Sequence, residues 1–209
     1  MKATSLIIIL AAAASSTASP IHERGDPPHF KKLLREVPSF QVTNFTATAI
    51  ILSHRVYYGF NLIVEPGTPL LYCQILGTTG SESLDTIRET YCSNTTLFGD
   101  DDVSEPLRKR AFYPDPDALN SPTGLVSFQW KYPGPGADTL EEDTISDTPA
   151  KLIIIRQLAG GKNGENITDE GVYVVPGSDI PVLGTGMFRH QVYTGPRNFT
   201  VDAFRFLTI

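Results

Sequence analysis

Asn44-Phe-Thr-Ala-Thr-Ala-Ile-Ile-Leu52 and Arg55-Val-Tyr-Tyr-Gly-Phe-Asn-Leu-Ile-Val-Glu65 stand two residues apart in the chain. In the first, Phe45, Ala47, Ala49 and Ile51 alternate with Thr46 and Thr48; in the second, Val56, Tyr58, Phe60, Leu62 and Val64 alternate with Tyr57, Gly59, Asn61 and Ile63. Successive side chains of a β-strand point to opposite faces, so period two marks a strand with one face buried. The same signal recurs over residues 70–76, 124–132, 151–158, 172–175 and 198–207, the last with Phe199, Val201 and Ala203 opposed to Thr200 and Asp202. No helical pattern of about 10 to 15 residues separates these segments, which disfavours parallel βαβ units. The expectation is an all-β fold, an antiparallel β-sandwich or barrel formed as a single domain with long polar loops over residues 39–209. Its predicted core contains Val56, Tyr58, Phe60, Leu62, Val64, Ile153, Ile155, Val172 and Val174.

Outside the strands, residues 99–123, 133–149, 159–170 and 176–186 form polar insertions of the length that usually serves function or stays disordered. The first holds Asp100-Asp101-Asp102 and then Arg108-Lys109-Arg110. No D-x-D-x-D-G pattern with a distal Glu follows, so a solvated acidic turn is favoured over a calcium loop. Lys109 and Arg110 form a candidate dibasic processing site, with a basic patch balancing the acidic one as the other reading. Residues 19–38 contain Pro20, Pro27, Pro28 and Pro38 and read as a flexible lead-in, with one helical turn at residues 31–36. Residues 83–91 read as a connection with helical character.

The N-terminus carries an address. Lys2, the apolar run Leu6 to Ala14 and the small residues up to Ser19 have the layout of a secretory signal peptide at residues 1–18, with Ser16 and Ala18 fitting the cleavage zone. The product is expected to be secreted and extracellular, with no membrane association after cleavage. Asn44, Asn94, Asn166 and Asn198 each begin an N-x-[ST] triplet, where chance gives roughly one in a chain of this composition. All four are N-glycosylation candidates.

Chemistry is sparse. Lys and Arg number 17 against 23 Asp and Glu, a net charge of −6, which gives no electrostatic reason to expect nucleic acid or an anionic membrane. Two cysteines rule out a four-thiolate zinc site. In an oxidising compartment Cys73 and Cys92 are expected to bond to each other; two free thiols, or pairing between chains, are the alternatives. His22 and His29 fall in the lead-in, while His54 and His190 belong to no metal-ligand spacing. No G-x-S-x-G elbow exists, and Gly80-Ser81 and Gly177-Ser178 read as turns. Glu141-Glu142 and Asp169-Glu170 fall in hydrophilic loops with no apolar frame to shift a carboxyl pKa. Val126, Phe128 and Trp130 share a strand face, which favours packing over an aromatic carbohydrate platform. No catalytic group, metal or cofactor is expected.

The order of features resembles small secreted fungal proteins related to the major allergen of Alternaria. Val37-Pro-Ser-Phe-Gln-Val-Thr-Asn-Phe-Thr-Ala-Thr48 stands where that family has an "ISxFxxxK" strand, and Tyr57-Tyr58-Gly59-Phe60-Asn61-Leu62 where it has "GFN". Cys73 and Cys92 match its cysteine spacing, and Gly195-Pro196-Arg197-Asn198-Phe199-Thr200-Val201 its "GPxxF" segment. The type member's second intramolecular cysteine pair and its N-terminal dimer-forming cysteine are missing, so no disulfide-linked dimer is carried over and the oligomeric state stays open. The resemblance implies a secreted fungal β-barrel with effector, elicitor or allergen behaviour. The expected function is non-enzymatic binding of a host or cell-wall protein or glycan through the long loops. The alternative is a small-ligand carrier or hydrolase using a pocket at a barrel mouth.

Overall fold

A computed structural model describes residues 30–33, 38–80, 82–94, 118–132, 148–160 and 166–208. Its strands are β1 (Phe30–Leu33), β2 (Ser39–Ile50), β3 (Arg55–Ile63), β4 (Leu71–Thr78), β5 (Ile87–Tyr91), β6 (Leu125–Lys131), β7 (Ala150–Leu158), β8 (Asn166–Val175), β9 (Val182–Leu183), β10 (His190–Gln191) and β11 (Phe199–Thr208). Among the described residues there is no α-helix; single 3₁₀ turns occur at Ala118–Asn120, Gly177–Asp179 and Gly186–Phe188. The main sheet runs β4-β3-β2-β11-β8-β7-β6-β5 with antiparallel pairing throughout. Its two ends meet where Tyr72 and Ser93 exchange backbone hydrogen bonds of 2.7 and 3.0 Å. The adjacent Cys73–Cys92 disulfide clamps the same seam. The eight strands therefore curl into a nearly closed barrel, the all-β antiparallel fold expected from the alternation.

Two irregularities shape the wall. The β2–β3 register slips by one residue between Thr43 and Thr46, a bulge in which Asn44 takes a left-handed φ of 56°, a region that Asn enters more readily than most residues. Because the extra residue reverses the alternation, Phe40 and Val42 before it and Phe45, Ala47 and Ala49 after it all point inward and are buried. Beyond the bulge β2 parts from β11, and the β9–β10 hairpin takes its place, with Thr48 bridging Val192 and Tyr193 N–H donating to the Ala47 carbonyl at 2.8 Å.

Rings fill the interior. Phe45 lies 5.8 Å from Phe60, 6.0 Å from Trp130, 4.8 Å from Tyr193 and 5.7 Å from Phe199 between centroids, distances at which aromatic pairs attract. Trp130 is fully buried with Val126 and Phe128 and donates its indole N–H to the Leu84 carbonyl at 3.2 Å, so its packing role is realised.

Several expectations need correction. Val172 and Val174 are 42% and 52% exposed and face outward; the inward residues of β8 are Asp169, Gly171, Tyr173 and Val175. The phase is set from outside the strand, because a Cβ at Gly171 would sit 2.9 Å from Val201 and 3.1 Å from Phe40. Phe40 and Val201 thus occupy the space above that glycine. The register Ile154↔Gly171 and Ile153↔Val172 carries the same phase into β7. Leu152 and Ile154 therefore enter the core, while Ile153 is buried apart from it and Ile155 is half-buried. The remaining five predicted core residues, Val56 to Val64 on β3 and just beyond it, are buried as expected. Residues 31–33, expected to begin a helical turn over residues 31–36, belong instead to strand β1, which pairs with β11 through Leu33↔Phe206 and Phe30↔Thr208. Most of residues 83–91 form not a helical turn but β5, because Ile87, Thr90 and Tyr91 pair with β6. β8 begins inside the expected 159–170 loop, drawn there by pairing of Asn166–Gly171 with β11. The signal peptide, Lys109, Arg110, Asp100–Asp102, Glu141 and Glu142 lie outside the described residues.

Candidate functional site

Among the described residues, a cluster of charge is built from one residue on each of three neighbouring strands. Arg156 on β7, Asp169 on β8 and Arg205 on β11 are cross-strand partners in one row, and alternation turns all three inward. Glu65, just beyond β3, reaches the same place. Arg205 grips the Asp169 carboxylate with Nε at 2.6 Å and Nη2 at 2.9 Å. Arg156 Nη1 donates to Glu65 Oε1 at 2.7 Å and lies 3.5 Å from Asp169 Oδ2. Its remaining donors are also used, Nε by the Thr123 carbonyl at 2.8 Å and Nη2 by the Pro122 carbonyl at 2.7 Å.

Two cations face two carboxylates, and Arg156 and Asp169 are almost wholly buried. Hydrogen bonding from Arg156 holds the Glu65 carboxyl below the ordinary glutamate range, against a smaller opposing effect of partial burial. The same pairing with Asp169 raises the Arg205 guanidinium above its usual value. A buried ion pair must recover its desolvation cost through geometry and added hydrogen bonds, and this one does so by spending its donors internally. The cluster is therefore a clamp joining the end of β3, the approach to β6, and β7, β8 and β11.

Asp169 overturns one sequence expectation. The sequence places it in a hydrophilic loop, yet it lies fully buried on β8. Arg156 and Arg205 carry only a faint mark in the sequence. The signal present was a lone arginine in an apolar strand, in Ile153-Ile154-Ile155-Arg156 and Phe204-Arg205-Phe206.

The other end of the barrel is closed by the segment after β4. Asp85 accepts from Thr79 Oγ1 at 2.6 Å, Gly80 N at 3.2 Å and Ser83 Oγ at 2.5 Å, and its backbone carbonyl accepts from Tyr58 OH at 2.7 Å. Buried Gln191 accepts from Leu84 N at 2.9 Å and donates to Tyr132 OH at 3.1 Å. These bonds hold Leu84 as a plug.

Of the expected site residues, Cys73 and Cys92 are bonded, with Cα atoms 4.3 Å apart and no free cysteine among the described residues. Asn44, Asn94, Asn166 and Asn198 are all exposed. Asn44 and Asn198 are brought together, Asn44 N–H donating to Asn198 Oδ1 at 3.0 Å. His190 Nδ1 donates to the Phe188 carbonyl at 3.0 Å, and among the described residues no group of three or more His, Cys, Asp or Glu could hold a metal ion. No helix among the described residues is long and apolar enough to cross a membrane.

Fold and clusters together define an antiparallel barrel-like protein with a ring-filled interior and an internal ionic clamp. No family model matches the chain, and no curated protein or solved structure matches it.

Proposed function

We propose that the chain is a secreted, non-enzymatic binding protein of effector or elicitor type, made by a fungus and acting on a host or cell-wall protein or glycan. The observation that carries this reading is the filled interior: Phe45, Phe60, Phe128 and Trp130 occupy the barrel axis, so a partner is met on the outer surface. The clamp supports it as well, since its carboxylates are engaged by arginines rather than poised for proton transfer. Export is supported by the N-terminal layout and by the disulfide, a bond that persists in oxidising compartments. The motif order, which resembles that of proteins related to the Alternaria allergen, points the same way.

The test is affinity capture with the purified protein from apoplastic extracts of several hosts and from fractionated cell-wall glycans. A partner enriched by the native chain, and competed by the same chain free in solution, supports the reading. Recovery of none from any host or glycan fraction overturns it.

A further inference from the structure

Glu65 differs from the other members of the ionic cluster in where it stands. Arg156, Asp169 and Arg205 are carried by strands, and their side chains are 1%, 0% and 16% exposed. Glu65 lies beyond the end of β3 at Ile63, and its side chain is 43% exposed. Its backbone is fixed separately from its carboxylate. Thr68 donates its N–H at 3.1 Å and its Oγ1 at 2.7 Å to the Glu65 carbonyl, and Glu65 N–H donates to Thr68 Oγ1 at 3.3 Å. Side-chain rotation alone, a fast motion for an exposed residue, therefore swings the carboxylate out to water with the turn left intact.

Without Glu65 the cluster is short of negative charge. Asp169 is taken up by Arg205 through bonds of 2.6 and 2.9 Å, and it stands 3.5 Å from Arg156 Nη1. Two guanidiniums then share one carboxylate, an excess of one positive charge in a site where an unpaired charge is costly. The Glu65 carboxylate, 2.7 Å from Arg156 Nη1, covers that donor, and its departure opens the donor to solvent.

Glu65 fills the place incompletely. Both of its contacts fall on Oε1, at 2.7 Å from Arg156 Nη1 and 3.5 Å from Arg205 Nη2. Among the described residues no hydrogen bond reaches its Oε2, and Arg205 Nη1 meets no acceptor. Guanidinium forks hold carboxylates and phosphates best through paired, charge-assisted hydrogen bonds. One oxygen stretched between two arginines is a partial match to what they offer.

We propose that Arg156 and Arg205 form a binding site for a small oxyanion, a carboxylate or phosphate group, at this end of the barrel, and that Glu65 is its built-in competitor. The incoming anion displaces the Glu65 carboxylate, accepts from Arg156 Nη1 and Arg205 Nη2 together, and adds the Arg205 Nη1 donor. Asp169 stays in place and keeps the two forks aligned. The site is independent of the protein or glycan partner above, because it takes a small ion at the end of the barrel and leaves the outer wall free.

The experiment is thermal denaturation of the full chain and of its Glu65→Ala variant in inorganic phosphate, in acetate and in chloride at matched ionic strength. An anion that binds the folded state raises the midpoint as its concentration rises. Glu65→Ala should gain from phosphate or acetate beyond the chloride control. The parent should need about tenfold more of the same anion, the factor expected when Glu65 leaves the site open about a tenth of the time. A gain with both anions assigns both ligand types and a gain with one assigns that one; either supports the site. Nuclear magnetic resonance locates the binding, since the Nε–H signals of Arg156 and Arg205 should shift with the anion and not with chloride. No gain over chloride in Glu65→Ala overturns the proposal. So do equal gains in the two proteins, which would mean that Glu65 does not compete, and a gain that leaves both Nε–H signals unmoved, which would place the anion elsewhere. If Glu65→Ala does not fold, the parent decides: its two Nε–H signals shift at high phosphate or acetate, or the site is refuted.

Discussion

Buried Asp169 takes two hydrogen bonds from Arg205, at 2.6 Å from Nε and 2.9 Å from Nη2, and Arg156 stands on its other side. Removing the carboxylate leaves two arginines facing each other with one remaining counter-ion, Glu65, in a site from which water is largely excluded. Asp169→Ala should cost about 3 to 5 kcal/mol, the range for breaking a buried ion pair from one side. Urea denaturation checks it, and a loss under about 1 kcal/mol would mean that the clamp is not a determinant of stability.

Glu65 makes the clamp sensitive to acid. Its folded carboxyl is lowered, chiefly by hydrogen bonding from Arg156, from an ordinary value of 4.5. A lowered folded value gives a contribution that is complete above the unfolded value and is lost as pH falls through the folded one. The stability gap between the parent and Glu65→Gln should therefore be constant near neutrality and close below about pH 4.5. Thermal midpoints measured across that window decide it, and a gap that widens in acid contradicts the assignment. The effect should be small, since Glu65 is 43% exposed.

The two faces of β8 and β3 separate by mutation. Phe60→Ala, at a buried ring packed 5.0 Å from Phe128, should cost about 3 to 5 kcal/mol. Val174→Thr, on the outer face, should stay within about 0.5 kcal/mol. Comparable losses at both positions would refute the phase assigned to β8.

Cys73–Cys92 closes a loop with a sequence separation of 19, for which the chain-entropy account gives roughly 3 kcal/mol. Reduction should lower the thermal midpoint while the β circular dichroism signal persists at room temperature, because the aromatic core does not depend on the bond. Thiol titration of the unfolded, unreduced protein should find no reactive group.

Asn198 accepts a hydrogen bond and is also an expected N-glycosylation site, and the two can be separated by mutation. Asn198→Ala removes the acceptor of the Asn44 N–H at the β2 bulge and should cost about 1 kcal/mol. Thr200→Ala removes the N-x-[ST] triplet while leaving that acceptor in place. In protein secreted from a eukaryotic host, mass spectrometry should show loss of the same glycan in both variants, with the stability loss confined to the first. Loss of stability in both would place the glycan, not the hydrogen bond, at the bulge's support.

Alternation is a local property, and it was enough to locate β2, β3, β4, β6, β7, β8 and β11 and to predict the all-β antiparallel class, but not to find β1, β5, β9 or β10. The two cysteines allowed one intramolecular pairing, and that pairing is present. What alternation could not supply was phase. In β2 the phase reverses at Asn44, whose bulge depends on the partner strands, and in β8 it is decided by Phe40 and Val201 filling the space above Gly171. The opposite phase for β8 puts Val172 and Val174 in the core, and only pairing with β11 shows that the strand starts early enough to include Asp169. Arg156 and Arg205 were illegible for the same reason: a charge is stable in an apolar interior only beside its counter-charge, and those counter-charges stand 13 and 36 residues away in Asp169 and 91 and 140 residues away in Glu65. The packing of β10 along β2 likewise exists only in the folded chain, because Thr48 and Val192 come from distant parts of the sequence.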